Sequence, residues 1–410
     1  MSMSAPIATK KTPAELRLIE RAEAGGGQRE ALATLREAGL PSRRVEAWHY
    51  TDLRVLLDRA MQAGAPAGEE AESILAPLLP HSVVVDAGSA EAISRDGLAV
   101  SPSARIPEWN RALNHLDRPH DTIRVLNAAL GATGSQIDIA EGANLADAVE
   151  LRAAPGAAGA QAFARVTVGK GARATFVERV SPSGPGSLST LVAEVDLGDD
   201  ADILWIVDQE KGSGETHLGQ LTVKLGANSK LRLFVLNAGG ALVRQEVHCE
   251  TVGEGADIQI RGVNLLAEGQ HVDVTTTLTH SVAHTTATEI FRNVVMGGQG
   301  VFQGMIKVAK GAQKTDARLA CNSLLLSDEG DFFAKPELEI FADDVQCGHG
   351  ATAGEIDANH LFYLMSRGIP RREARALLVK AFVDEVVEEI EHEDAVVALE
   401  ARIDHWLATH

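Results

Sequence analysis

Apolar residues follow two rhythms along this chain, and the changes of rhythm divide it in three. In the first 40 residues the spacing is helical. Thr12-Pro13-Ala14-Glu15 opens a helix, with Thr at the N-cap, Pro in the first turn and Glu placed to close a capping box; Gly25-Gly26-Gly27 ends it. A second helix runs from about Gln28 to Ala38 and stops at Gly39, with Pro41 just beyond. Residues 41–53, PSRRVEAWHYTDL, are polar with Trp48 and Tyr50 embedded. Residues 81–100 read as a short β-hairpin, Val83-Val84-Val85 followed by Leu98-Ala99-Val100, and Glu108 to Leu130 reads as helical.

From about residue 135 the rhythm shortens to alternation, and short β-like runs meet at Gly-Ala or Asp-Ala corners. The residue before the corner alanine is Gly142, Gly171, Asp200, Gly226, Gly255 and Gly311. Their separations are 29, 29, 26, 29 and 56, the last being twice 28. The corner missing from this series belongs near residue 283, where SVAHTTATEIFRNVV reads as a degenerate copy. A period of that length with two strands per repeat marks a solenoid, whose turns bury their apolar faces only against one another. Crossovers between parallel strands are right-handed. The pattern therefore predicts a mainly β chain, with a right-handed parallel β-helix over residues 135–355. A helical and mixed region (1–134) precedes it and a helical region (356–410) follows. An antiparallel sandwich with similar turns is the competing fold, and the even corner spacing disfavours it.

Helical spacing returns after Gly354. Leu361, Phe362, Leu364 and Met365 predict a short helix ended by Gly368. Pro370 opens the next, with Leu377, Leu378, Ala381, Phe382 and Ile390 as its apolar stripe, and Val396, Leu399, Ile403 and Leu407 mark a last one. The helix after Pro370 starts basic (Arg367, Arg371, Arg372, Arg375) and ends acidic (Glu385, Glu388, Glu389, Glu391). Both signs oppose the helix macrodipole, so the charges serve either a partner or mere solvation.

Composition narrows the function. The 410 residues are 45% hydrophobic and only 4% aromatic, with 38 glycines, which suits thin regular β-structure. A net charge of −19 argues against non-specific nucleic-acid binding, which needs Lys and Arg to displace counterions. No run of 18 apolar residues is present, and the N-terminus lacks the apolar region of a secretory signal. Three scattered cysteines, Cys249, Cys321 and Cys347, make no disulfide framework and point to a reducing cytoplasm. No nucleotide-binding loop or common hydrolase motif appears, so any energy-driven step would use another chain's nucleotide hydrolysis.

The candidate chemistry lies in residues 336–352, PELEIFADDVQCGHGAT. On an extended strand Cys347 and His349 share one face, placing a soft and a borderline metal ligand side by side. Two ligands do not close a zinc or iron–sulfur site, so the others would come from another chain. The bland alternative is a buried thiol beside a hydrogen-bonded imidazole. Cys249, Cys321, His248 and His284 read as structural. Asp343 and Asp344 raise a β-helix carbohydrate enzyme, but adjacent strand residues face opposite ways and make a poor acid–base pair.

The run KPELEIFADDVQCGHGATAGEID, followed by LFYLMSRGIPRREARALLVKAF, resembles the hallmark region of the SufB/SufD family of iron–sulfur cluster assembly proteins. PSRRVEAWHYTDL and SLLLSD resemble its other recurring segments, and the likeness spans residues 41 to about 390. Gly350 after the histidine, the short chain and the few cysteines resemble the SufD branch. The resemblance implies a right-handed parallel β-helix and a non-enzymatic cytoplasmic subunit in a complex with SufB and the ATPase SufC. It implies a SufB seam at Leu338, Ile340, Phe341 and Val345. Cys347 and His349 would there lend donors to a transient cluster shared with SufB, His349 being the likelier donor, with none held permanently by this chain alone. It also implies SufC docking on the C-terminal helices, at Arg371, Arg372, Leu377, Leu378 and Phe382. A SufB-type principal scaffold and a purely structural adaptor are the alternatives within that family, and an exposed terminal strand allows a homodimer of the isolated chain.

Overall fold

The computed structural model describes residues 11–62, 76–87, 91–103, 121–153 and 159–410. Helices α1 (Pro13–Ala24), α2 (Arg29–Ala38) and α3 (Leu53–Gln62) come first, with a 3-10 turn at Glu46–Trp48. The capping box at Thr12 is made as its residues predict: the Glu15 N–H donates to Thr12, and the Thr12 N–H donates back to the Glu15 carboxylate at 2.6 Å. Then follow β1 (Val83–Ala87), β2 (Ile93–Arg95), β3 (Leu98–Ser103), α4 (Thr122–Ala129), β4 (Thr133–Ile139) and β5 (Val149–Ala153). The part of the expected helix at 108–120 lies outside the described residues.

The chain then winds in pairs of strands: β6 (Gln161–Val168) and β7 (Arg173–Val180), β8 (Leu188–Leu197) and β9 (Asp202–Gln209), β10 (Thr216–Leu225) and β11 (Lys230–Ala238). Next come β12 (Leu242–Thr251) and β13 (Asp257–Leu266), β14 (His271–His280) and β15 (Thr286–Val295), β16 (Gly298–Val308) and β17 (Asp316–Leu325), and last β18 (Gly330–Ile340) and β19 (Gln346–Gly354). Odd-numbered strands from β5 stack in one sheet and even-numbered strands from β4 in the other, all in parallel register, giving a parallel β-solenoid of about seven turns. Helices α5 (Ala358–Ser366), α6 (Arg371–Val387) and α7 (Glu393–Thr409) close the chain.

The corners explain the repeat. Gly142, Gly171, Asp200, Asn228, Gly255, His284 and Lys314 all have positive φ, one per turn. Glycine and short polar residues tolerate that conformation best, which is why the signal was visible. The missing corner falls at His284, one residue from its expected place. Two corners shift: Asn228 and Lys314, not Gly226 and Gly311, take the left-handed position.

Alternation along each strand then sorts side chains between an inner core and two outer faces. Inside, Leu221, Val223, Leu233, Val235, Val247, Ile258, Ile260, Phe291 and Phe302 stack from turn to turn. An amide ladder runs along the same wall: Asn237 donates to Asn264 at 2.7 Å, which donates to Asn293 at 2.7 Å. One outer face lies under α1–α4, through Phe163, Val192, Leu218 and Leu242. The other lies under α6 and α7, through Leu204, Phe234, Val263 and Val294.

Two expectations are corrected. Val83–Val85 does not pair with Leu98–Val100. β1 joins the first sheet beside β5, whereas β3 joins the second beside β4, and the tight hairpin is β2–β3 around Asp96 and Gly97. Long-range parallel pairing buries Val83 and Val85 in the core, which an isolated hairpin would not. On α6 the buried face is Ala374, Val379, Val383, Val386 and Val387, and Leu377 and Ala381 of the expected stripe are exposed. The helix is apolar on two sides, and the β-branched side fits the sheet.

Candidate functional site

Among the described residues the last turn of the solenoid has no neighbouring strand beyond it. β18 ends the second sheet and β19 the first. In β19 every residue but the half-buried Cys347 is exposed.

Register fixes what faces the opening. Cys347 lies over Ala317 and His349 over Leu319, both inward-facing and buried one turn earlier. Cys347 and His349 therefore occupy core positions of a turn whose core is open on one side. The thiol packs against the inner core, and burial pushes its pKa up; the Ala317 backbone opposes this and Asp316 adds to it. A metal would bind Cys347 only by displacing its proton. Among the described residues no group of three or more His, Cys, Asp and Glu side chains could hold a metal ion, so these two donors form at most part of a site.

The rim is partly apolar. Leu338 and Val345 are half-buried against the inner core, while Ile340 and Phe341 are exposed, Phe341 by 60%. Asp343 and Asp344 lie in the exposed turn between β18 and β19, where Lys314 pairs with Asp344.

The remaining cysteines are inert. Burial raises both thiols, Cys249 beyond the ordinary range and Cys321 to about 12, where the Asn293 amide donates to its sulfur at 3.2 Å. His248 faces outward beneath the N-terminal region, 3.2 Å from Glu246, and His284 is a corner.

The C-terminal helices form a second surface. α5 buries no residue and exposes Phe362, Tyr363 and Met365, with Phe362 72% exposed. On α6, Arg371, Arg372 and Leu377 are exposed, while Leu378 and Phe382 are half-buried. The Arg292 guanidinium lies 5.3 Å from the Phe382 ring centre. The acidic end of α6 meets a column of arginines on the solenoid: Arg292 with Glu385 at 2.6 Å, Arg261 with Glu389, and Arg232 with Glu391 at 3.2 Å. Half of the charge pattern that opposed the macrodipole thus answers to the solenoid itself.

Sequence reasoning also missed what anchors the N-terminal region. The Thr51 hydroxyl donates to Asp273 and lies 2.9 Å from His271 Nε2. Arg244 stacks 4.0 Å from the Trp48 ring centre, donates to the Ala47 carbonyl at 2.8 Å, and pairs with Glu246 at 2.9 Å and with Asp273. Trp48 stood out only as an aromatic embedded in a polar segment and Thr51 not at all, because their partners lie some 200 residues on, as the 220-residue separation of Thr51 and His271 illustrates.

Comparison with known proteins gives a consistent picture. The family model described as SUF system FeS cluster assembly, SufBD core domain, matches residues 152–382. The iron–sulfur cluster assembly protein SufD of Escherichia coli (strain K12) is 27% identical over 402 residues, covering 91% of this chain and 90% of that protein. The SufBD family protein slr0076 of Synechocystis is 32% identical over 203 residues, 49% of this chain and 45% of that one. The chloroplastic protein ABCI7 of Arabidopsis thaliana is 30% identical over 182 residues, 44% and 38% of the two chains.

Proposed function

The chain belongs to the SufBD family of iron–sulfur cluster assembly proteins, and from that premise we propose that it is a SufD-type, non-enzymatic scaffold subunit working in the cytoplasm. Its open turn pairs with a SufB-type chain, and the isolated protein can pair with itself there. The cluster under construction is cargo, held between the two chains. His349 and, secondarily, Cys347 contribute donors, and SufB contributes the rest. SufC docks on the C-terminal helices through Arg371, Arg372 and Leu377, with Leu378 and Phe382 beneath, and supplies ATP hydrolysis.

The observation that carries this reading is the position of Cys347 and His349: core positions of a terminal turn, aimed at an opening and short of a full ligand set. Exposed Ile340 and Phe341 beside them give the apolar contact a protein partner needs. The unburied α5, next to the exposed Arg371 and Arg372 at the start of α6, supports a second docking surface. In the co-expressed complex, His349→Ala should leave assembly intact by gel filtration and lower cluster transfer to an apoprotein several-fold. Wild-type transfer by an intact complex would remove His349 from the site. The three sequence regions, 1–134, 135–355 and 356–410, then serve as clamp, scaffold and docking arm.

A further inference from the structure

The two strands of the last turn are held differently from outside. β18 is braced by the N-terminal region: Lys335 pairs with Glu46 at 2.6 Å, and the Tyr50 ring lies 5.6 Å from that of Phe333. β19 offers little to hold. Register with the buried Ala317 and Leu319 puts Cys347 and His349 on its inner face, so Gln346, Gly348, Gly350, Thr352 and Gly354 form its outer face. A side chain built on any of those three glycines would meet nothing within 4 Å, and none has positive φ. Neither crowding nor backbone conformation therefore requires them. What they confer is a loose strand, tied to β17 along one edge. Such a strand twists about that edge unless its outer face is held, and the side chains on its inner face turn with it.

Thr352 provides the hold. Arg292, Asn322 and Thr352 are register partners on β15, β17 and β19. Arg292 Nη1 donates to Asn322 Oδ1 at 2.7 Å, and Asn322 Nδ2 donates to Thr352 Oγ1 at 2.7 Å. Arginine can only donate, so it fixes Asn322 with the oxygen toward Arg292 and the N–H toward Thr352. Arg292 is itself seated by α6: Nε and Nη2 donate to Glu385 at 3.1 and 2.6 Å, and the guanidinium faces the Phe382 ring.

We infer that Asn322 is a positioning residue for the donors of β19, the middle of a relay Arg292–Asn322–Thr352 that ties the strand bearing Cys347 and His349 to α6. The inference rests on the reading of those two residues as metal donors and adds what aims them.

The test is a Co2+ titration of the isolated full-length chain, followed by the thiolate-to-cobalt absorption. That signal reports Cys347, because Cys249 and Cys321 are buried. Thr352→Val and Asn322→Ala should keep the melting temperature and weaken Co2+ binding by about threefold to tenfold, the worth of one hydrogen bond. Thr352→Ser keeps the hydroxyl and should bind as the wild type does. Arg292→Lys keeps the charge but loses the fork that reaches Glu385 and Asn322 together, so it should match Asn322→Ala. Adding Thr352→Val to Arg292→Lys should weaken binding no further. Wild-type affinity in both Thr352→Val and Asn322→Ala would overturn the relay, as would an equal loss in Thr352→Ser. An absorption absent from the wild type, or kept in Cys347→Ala, would instead overturn the donor reading and leave the relay nothing to aim. If Asn322→Ala or Arg292→Lys loses stability, the exposed Thr352 pair of variants decides.

Discussion

Two strands of the same solenoid, built on the same alternation, meet opposite surroundings. β12 buries nine of its ten residues, and β19 buries none of its nine. Both carry inward-facing positions in register with the turn before. Burial is therefore conferred by the next turn, not by the alternation itself. Where that turn is missing, a core position points at an opening and can take a residue that a closed core would reject. His349 is such a residue, one turn beyond the buried Leu319.

The largest effect should come from placing one charge at an inward-facing position of each turn. Val247 faces inward on β12 and is fully buried. Val247→Asp leaves a carboxylate in a dry core and should cost more than about 4 kcal/mol, enough to prevent folding. Ala351 is inward-facing on β19 but exposed, and Ala351→Asp should change the stability of the isolated chain by less than about 0.5 kcal/mol. Urea titration of the two variants checks this. Equal losses would mean that the last turn is closed.

The next contrast sets Arg244 against Lys335, both cations tying the N-terminal region to the second sheet. Arg244 is fully buried, and removing it strips the guanidinium from Asp273, Glu246 and Trp48 together. Arg244→Ala should cost about 3–5 kcal/mol. Lys335 pairs with the exposed Glu46 near the open turn, and Lys335→Ala should cost at most about 1 kcal/mol.

These contrasts mark what was legible from residues alone. The corners were, because a left-handed position draws glycine, Asp or Asn and repeats once per turn; where His284 fills it, only the spacing reveals it. Cys347 and His349 were legible as a pair, because alternation fixes their common face. That this face looks out of an open turn was not, since openness depends on what fails to follow. The clamp at Arg244 and Thr51 was invisible for a similar reason: its residues meet only after several turns have been laid down. The two apolar sides of α6 could not be ranked by periodicity, because the choice between them depends on the sheet they meet.

A smaller effect follows from carboxylates inside the closed turns. Burial pushes Glu289 up to about 7, against the nearby Thr276 hydroxyl, and Glu178 up to about 8, against the Trp205 indole. Both start from about 4.5 in the unfolded chain. Below that pH both states hold the protons and the groups contribute no pH dependence. Above it the unfolded state ionises first, so each group lowers stability as pH rises, by about 1.4 kcal/mol per pH unit at most, until its folded pKa is reached. Glu289→Gln should flatten the melting-temperature profile between about pH 4.5 and 7, and Glu178→Gln between about pH 4.5 and 8. No such change should follow any substitution of β19, whose carboxylate neighbours meet water. An unaltered profile in both variants would mean that these interiors are wet.

The smallest effect divides one helix. The acidic end of α6 is held by Arg292, Arg261 and Arg232, each on a successive strand of the first sheet, so the helix runs across the turns toward the closed part of the solenoid. Its basic start is exposed and lies next to α5, which buries nothing. The acidic end is therefore committed within the chain, whereas at the basic end Arg375 donates to the Leu326 carbonyl and Arg371 and Arg372 are exposed. The three glutamates are 61%, 44% and 82% exposed in the order Glu385, Glu389, Glu391, so water screens each pair. Replacing all three with Gln should cost about 1–2 kcal/mol at low salt, at about 0.2–1 kcal/mol per pair, and almost nothing at 1 M salt, where the screening length falls to about 3 Å. Replacing Arg371 and Arg372 with Ala should leave stability unchanged at either salt concentration and weaken retention of the SufC-type ATPase. A loss of stability from the arginine pair, or none at low salt from the glutamates, would reverse the assignment of the two ends.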